Sequence, residues 1–66
     1  MKSYSSREIL KLLNNDGWRE VRIRGGHMQL KHPVKTGTVT VPHPKKDLPV
    51  RTIKSIFNQA GLKYLT

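Results

Sequence analysis

The chain is 66 residues long, carries no cysteine, and sets thirteen Lys and Arg against four Asp and Glu, for a formal charge of +9. That length suits one domain, over residues 1–66, whose core supplies about 3–5 kcal/mol of net stability, and the lack of thiols excludes disulfides and thiolate metal sites. The charge calls for a polyanionic partner, nucleic acid first and an acidic protein second; with no apolar run long enough for a signal peptide or membrane span, the expectation is a soluble cytoplasmic protein.

The first element opens on Ser5-Ser6-Arg7-Glu8. Ser5 is placed to cap a helix and Glu8, three residues on, to return a bond to the Ser5 backbone N–H. Ile9, Leu10, Leu12 and Leu13 then form an apolar helical stripe, and Asn14-Asn15-Asp16-Gly17 ends it, which predicts a helix from about Ser6 to Asn15.

From Trp18 to Arg24 the pattern changes to alternation, with Val21 and Ile23 on one side and Glu20, Arg22 and Arg24 on the other. This predicts a half-buried strand. Gly25-Gly26 suits a tight turn with positive φ at both positions, after which Met28 and Leu30 alternate with His27, Gln29 and Lys31. A two-residue loop pairs Arg24 with His27, Ile23 with Met28, Arg22 with Gln29, Val21 with Leu30 and Glu20 with Lys31. Each pair is like-faced, and the last is oppositely charged.

His32 to Gly37 reads as a turn region in which His32, ahead of Pro33, has a structural role. Thr38 to Val41 forms a third strand ended by Pro42, and His43 to Pro49 a stiff basic connector. Ile53, Ile56, Phe57 and Ala60 have helical spacing, with Gly61 as C-cap and Leu62 as its hydrophobic companion. Trp18 is a packing residue at the helix–strand junction, and Lys63 to Thr66 receive no role. The fold class is α+β: an α-β-β-β-α chain whose three-stranded antiparallel sheet carries both helices on one face. Its other face stays open to water and presents Arg22, Arg24, His27, Gln29 and Lys31.

The four acids, Glu8, Asp16, Glu20 and Asp47, fall on separate elements and do not cluster, so a carboxylate metal centre is not expected. Nor do the three histidines have a zinc-ligand spacing. What remains is imidazole chemistry. Metal-free RNA cleavage needs a base for the ribose 2′-OH and an acid for the departing 5′-oxygen, and His27 stands on the open face beside Arg24. Antiparallel pairing of the second and third strands brings His43 to the same end as a candidate helper. Lys45 and Lys46 precede the second helix, whose N-terminal dipole favours a phosphate.

The sequence resembles the HicA (YcfA-like) mRNA-interferase toxins over nearly its whole length. The residues that carry the resemblance are Ser5-Ser6-Arg7-Glu8, Asp16-Gly17-Trp18, Arg24-Gly25-Gly26-His27, Lys31-His32-Pro33, Val39-Thr40-Val41-Pro42-His43-Pro44-Lys45-Lys46-Asp47-Leu48 and Gln59-Ala60-Gly61-Leu62. It implies a fold like a double-stranded-RNA-binding domain, an endoribonuclease toxin acting on mRNA without cofactor or metal, a HicB-type antitoxin as protein partner, and His27 as the catalytic histidine. The expected RNA-contacting set is Arg22, Arg24, Gly25, Gly26, Lys31, Lys45 and Lys46. The chain departs from the family pattern at Gly26 and Met28, where Ser and a second His are common. Two other readings predict different behaviour: a non-enzymatic module binding double-stranded RNA by shape, and a protein-docking domain with negligible RNA affinity.

Overall fold

A computed structural model describes residues 3–63; the N-terminal Met1-Lys2 pair and Tyr64-Leu65-Thr66 lie outside the described residues. The order is α1 (Ser6–Asn15), β1 (Arg19–Arg24), β2 (His27–Lys31), β3 (Val39–Pro42) and α2 (Val50–Ala60), with an antiparallel sheet ordered β1-β2-β3. This is the expected α+β arrangement, consistent with a double-stranded-RNA-binding-domain-like fold.

Local chemistry sets the ends of the helices. Ser5 Oγ accepts from the Glu8 amide at 3.1 Å while the Ser5 amide donates to Glu8 Oε1 at 2.9 Å, so the capping box forms as its spacing predicts. At the end of α2, Gly61 takes φ +70°, and the Gly61 and Leu62 amides donate to the carbonyls of Asn58 and Phe57 at 3.3 and 2.8 Å. These are the bonds of a Schellman terminus. Ile9, Leu10 and Leu13 of α1 and Ile53, Ile56, Phe57 and Ala60 of α2 bury against Leu30, Val39 and Val41, with Trp18 and Leu48 closing the core.

Strand β1 departs from the alternation. Arg24, Ile23 and Arg22 face His27, Met28 and Gln29 as expected, but the register then shifts so that Glu20 faces Leu30 and Arg19 faces Lys31, leaving Val21 as the extra residue of a bulge. The Val21–Leu30 and Glu20–Lys31 pairs therefore do not form. Nor do Val21 and Ile23 join the core: they are 55% and 58% exposed. The cause lies outside the strand. The Ser6 amide donates to Lys45 O at 2.9 Å and the Leu48 amide to Tyr4 O at 2.8 Å, which fastens the start of α1 to the connector after β3. Both helices accordingly pack on β3, and the apolar side of β1 projects beyond them. Glu20, moved by the bulge, accepts instead from Asn14 Nδ2 of α1 at 3.4 Å.

A second tie joins the far ends of the helices. Lys35 Nζ donates to Asp16 Oδ2 at 2.6 Å and to the Ala60 carbonyl at 3.0 Å, satisfying an orphan acceptor at the end of α2. The ammonium, by hydrogen bond first and by its charge as well, holds the Asp16 carboxyl below its usual 3.8. A carboxyl depressed on folding stabilises the native state above its unfolded value, and that contribution is lost as pH falls through the folded value. Urea midpoints are thus expected to drop below about pH 4, and to drop less steeply in Asp16→Asn. The pair is solvated, so the difference is small.

His32 organises the loop after β2. Its Nε2 lies 2.7 Å from the Asp16 carbonyl and its Nδ1 accepts from the amides of Val34 and Lys35, each at 3.0 Å. Since a carbonyl only accepts, Nε2 carries the hydrogen and both ring nitrogens are used. The ring also meets fully buried Trp18 edge-on, with centroids 5.2 Å apart. Both side chains pack, as their positions in the sequence suggest.

Candidate functional site

The turn between β1 and β2 has φ +56° at Gly25 and +78° at Gly26, the double positive φ that matches hairpin twist and that residues with a Cβ adopt only with strain. It delivers His27 to the first position of β2. Met28 packs against the core and Leu30 is buried, so by alternation His27 leaves the opposite, open face, where it is exposed.

The His27 ring is oriented by its own turn. Nδ1 lies 3.1 Å from the Gly25 carbonyl. A carbonyl has no hydrogen to give, so Nδ1 donates, and the neutral ring keeps its lone pair on Nε2. Arg24 is the cross-strand partner of His27, and Arg22 lies two residues further along the same face. Lys31 is exposed but stands four residues from His27, roughly 13 Å along the strand, opposite Arg19. The hairpin tip therefore gathers Gly25, Gly26, His27 and Arg24, with Arg22 next to them and Lys31 apart.

His43 is brought to the same end by its amide, which donates to the Gly26 carbonyl at 2.9 Å. Its side chain goes the other way. Val41 is buried on the helix side and His43 shares its parity, and His43 Nδ1 lies 2.7 Å from Ser6 Oγ at the start of α1. The two imidazoles leave one end of the sheet from opposite faces rather than side by side.

The connector also moves the lysines away from their expected setting. Lys45 and Lys46 are exposed, and they border, with Ser5, Ser6, Arg7 and His43, a cleft of about 460 Å3 against the first turn of α1 rather than that of α2. Ser6 is the hub. The residue is 1% exposed, and its hydroxyl accepts from the Lys45 amide at 2.9 Å and lies 3.2 Å from the Lys45 carbonyl. The sequence reading used Ser5 and passed over Ser6 and Arg7. Yet Ser6 precedes Ile9, Leu10 and Leu13 by three, four and seven residues, which puts a hydroxyl on the buried stripe and signals an internal partner.

Among the described residues, no group of three His, Asp or Glu converges where an ion could be held, and no helix is long and apolar enough to cross a membrane. Residues 6–62 match the family model described as the HicA toxin of bacterial toxin–antitoxin systems. No curated protein matches the chain.

Proposed function

The chain belongs to the HicA family of bacterial toxins, a membership that implies a HicB-type antitoxin partner, and from that premise we propose that it is a cytoplasmic, metal-independent endoribonuclease, a single toxin domain that cuts mRNA at a site centred on His27. The observation that carries this reading is the exposed His27 ring with its Nδ1 hydrogen engaged by the Gly25 carbonyl. That bond leaves Nε2 as a base, free to act. Arg24 stands across the strand, and with Arg22, Lys31, Lys45 and Lys46 it supplies cations for a phosphate backbone.

His27 Nε2 takes the proton of a ribose 2′-OH, and the 2′-oxygen attacks the adjacent phosphorus. The bond from phosphorus to the 5′-oxygen breaks, and the imidazolium returns the proton to that oxygen. The products are a 2′,3′-cyclic phosphate and a 5′-hydroxyl. Arg24 offsets the charge that builds on the phosphoryl oxygens. Gly25 and Gly26, with open space where a Cβ would stand, leave room for the sugar–phosphate chain at the tip.

The test is incubation of the purified protein with RNA, with and without EDTA, followed by end-group analysis. The expected result is cleavage at an unchanged rate in chelator, with cyclic-phosphate ends. Loss of cleavage in EDTA, or 5′-phosphate ends, would overturn the reading. Salt-dependent binding without any cleavage would favour the non-enzymatic RNA-binding module, and negligible RNA affinity the protein-docking domain.

A further inference from the structure

The geometry points to a second RNA subsite, one that reads the ribose: His43, its Nδ1 hydrogen held by Ser6, presents a bare Nε2 at a cationic cleft, where it accepts from a 2′-hydroxyl of the strand. This rests on the proposal that RNA is the substrate. It is a separate claim from the cleavage chemistry of His27, because the two rings stand on opposite faces of the sheet.

The argument begins with one hydrogen. Ser6 Oγ has three polar neighbours: the Lys45 amide at 2.9 Å, the Lys45 carbonyl at 3.2 Å and His43 Nδ1 at 2.7 Å. The amide can only donate and the carbonyl can only accept. If the hydroxyl gives its hydrogen to the carbonyl, the oxygen is left as an acceptor, and the contact with His43 is a hydrogen bond only when Nδ1 carries a proton. All three contacts form together in that state alone. Ser6 is 1% exposed, so its hydroxyl bonds within this cluster rather than to bulk solvent, and the three-contact arrangement uses both its hydrogen and its lone pairs.

The remaining nitrogen has no hydrogen bond among the described residues, and the half-buried ring helps to wall the cleft of about 460 Å3 that Arg7, Lys45 and Lys46 also border. Among the described residues no carboxylate lines that cleft, and in the adjoining groove that His43 also borders, Glu20 stands with Arg7 and Lys11. Cations there suit phosphates, which RNA and DNA share. A bare ring nitrogen suits a donor, and the backbone donor that RNA has and DNA lacks is the 2′-hydroxyl. Ser6 is in this account a positioning residue: it touches no substrate and acts by fixing which His43 nitrogen faces the strand.

Two measurements test the subsite. In long-range proton–nitrogen NMR spectra of the wild-type protein at a pH where His43 is neutral, its hydrogen is expected on Nδ1; a hydrogen on Nε2 would overturn the assignment without any mutation. In the second, a short single-stranded RNA and the deoxy oligonucleotide of the same sequence are titrated against the His27→Ala protein, in which cleavage is expected to be slow enough for binding to be read. The RNA is expected to bind about three- to tenfold more tightly, the worth of one hydrogen bond. Adding His43→Ala should erase that preference while DNA affinity stays within about twofold. A preference that survives His43→Ala, or equal binding of RNA and DNA before it, would refute the subsite. Cleavage by the wild-type protein reports on the His27 proposal separately, so either claim can fail while the other stands.

Discussion

Replacing His27 with Ala is expected to slow RNA cleavage by about 10²- to 10⁴-fold, the usual contribution of a positioned proton-transfer group, and to abolish toxicity, while the protein still folds. The reason for both halves is the same exposure. Among the described residues the ring's one hydrogen bond is to Gly25 in its own turn, and the exposed ring is not part of the core, so its loss should change stability by no more than about 0.5 kcal/mol. Binding should also survive, because the phosphate contacts proposed for Arg22, Arg24, Lys45 and Lys46 do not involve the imidazole. His27→Gln sharpens the comparison, since an amide can keep a bond to the Gly25 carbonyl but cannot carry a proton between oxygens. Both variants should therefore show near-wild-type melting and RNA affinity with deeply reduced single-turnover rates. Cleavage by either variant at the wild-type rate would remove His27 from the mechanism.

The second large effect is on folding. A Cβ added at Gly17 would stand 2.6 Å from His32 Nε2, and Gly17 has φ +106°. Gly17→Ala thus meets two penalties, backbone strain of about 1–3 kcal/mol and displacement of the ring that ties Asp16, Val34 and Lys35 together against Trp18. Each bond lost is worth about 0.5–1.5 kcal/mol. Against a core that supplies only about 3–5 kcal/mol in total, the variant should be largely unfolded at room temperature. A double-mutant cycle identifies the cause. In a His32→Ala background the collision is gone, and Gly17→Ala should cost only the backbone strain. Urea melts of the four proteins, run with an excluded osmolyte to keep all of them folded at the start, measure this coupling. Equal effects of Gly17→Ala in both backgrounds would show that the ring is not what the new methyl group meets.

Much of this protein is written in short-range patterns. Ser5 and Glu8 cap α1, Gly25-Gly26 turns the hairpin and sets the pairing of Arg24 with His27, and Gly61 ends α2, because capping, turn conformation and alternation each depend on residues within about four positions. The placement of His27 on the open face follows from those alone. Tertiary contacts decided the rest. The capping of α1 does not reveal that Tyr4 to Ser6 will pair with Lys45 to Leu48, yet that pairing draws α1 toward β3 and leaves Val21 and Ile23 uncovered. Alternation cannot anticipate the bulge at Val21, which moves Glu20 to the side facing α1. The Ser6–His43 contact joins residues 37 apart in sequence, so no local spacing encodes it, and it sends the second imidazole to the face opposite the first. Local rules fix what a segment is; which side chains meet depends on how the segments share one small core, where covering one strand leaves another bare.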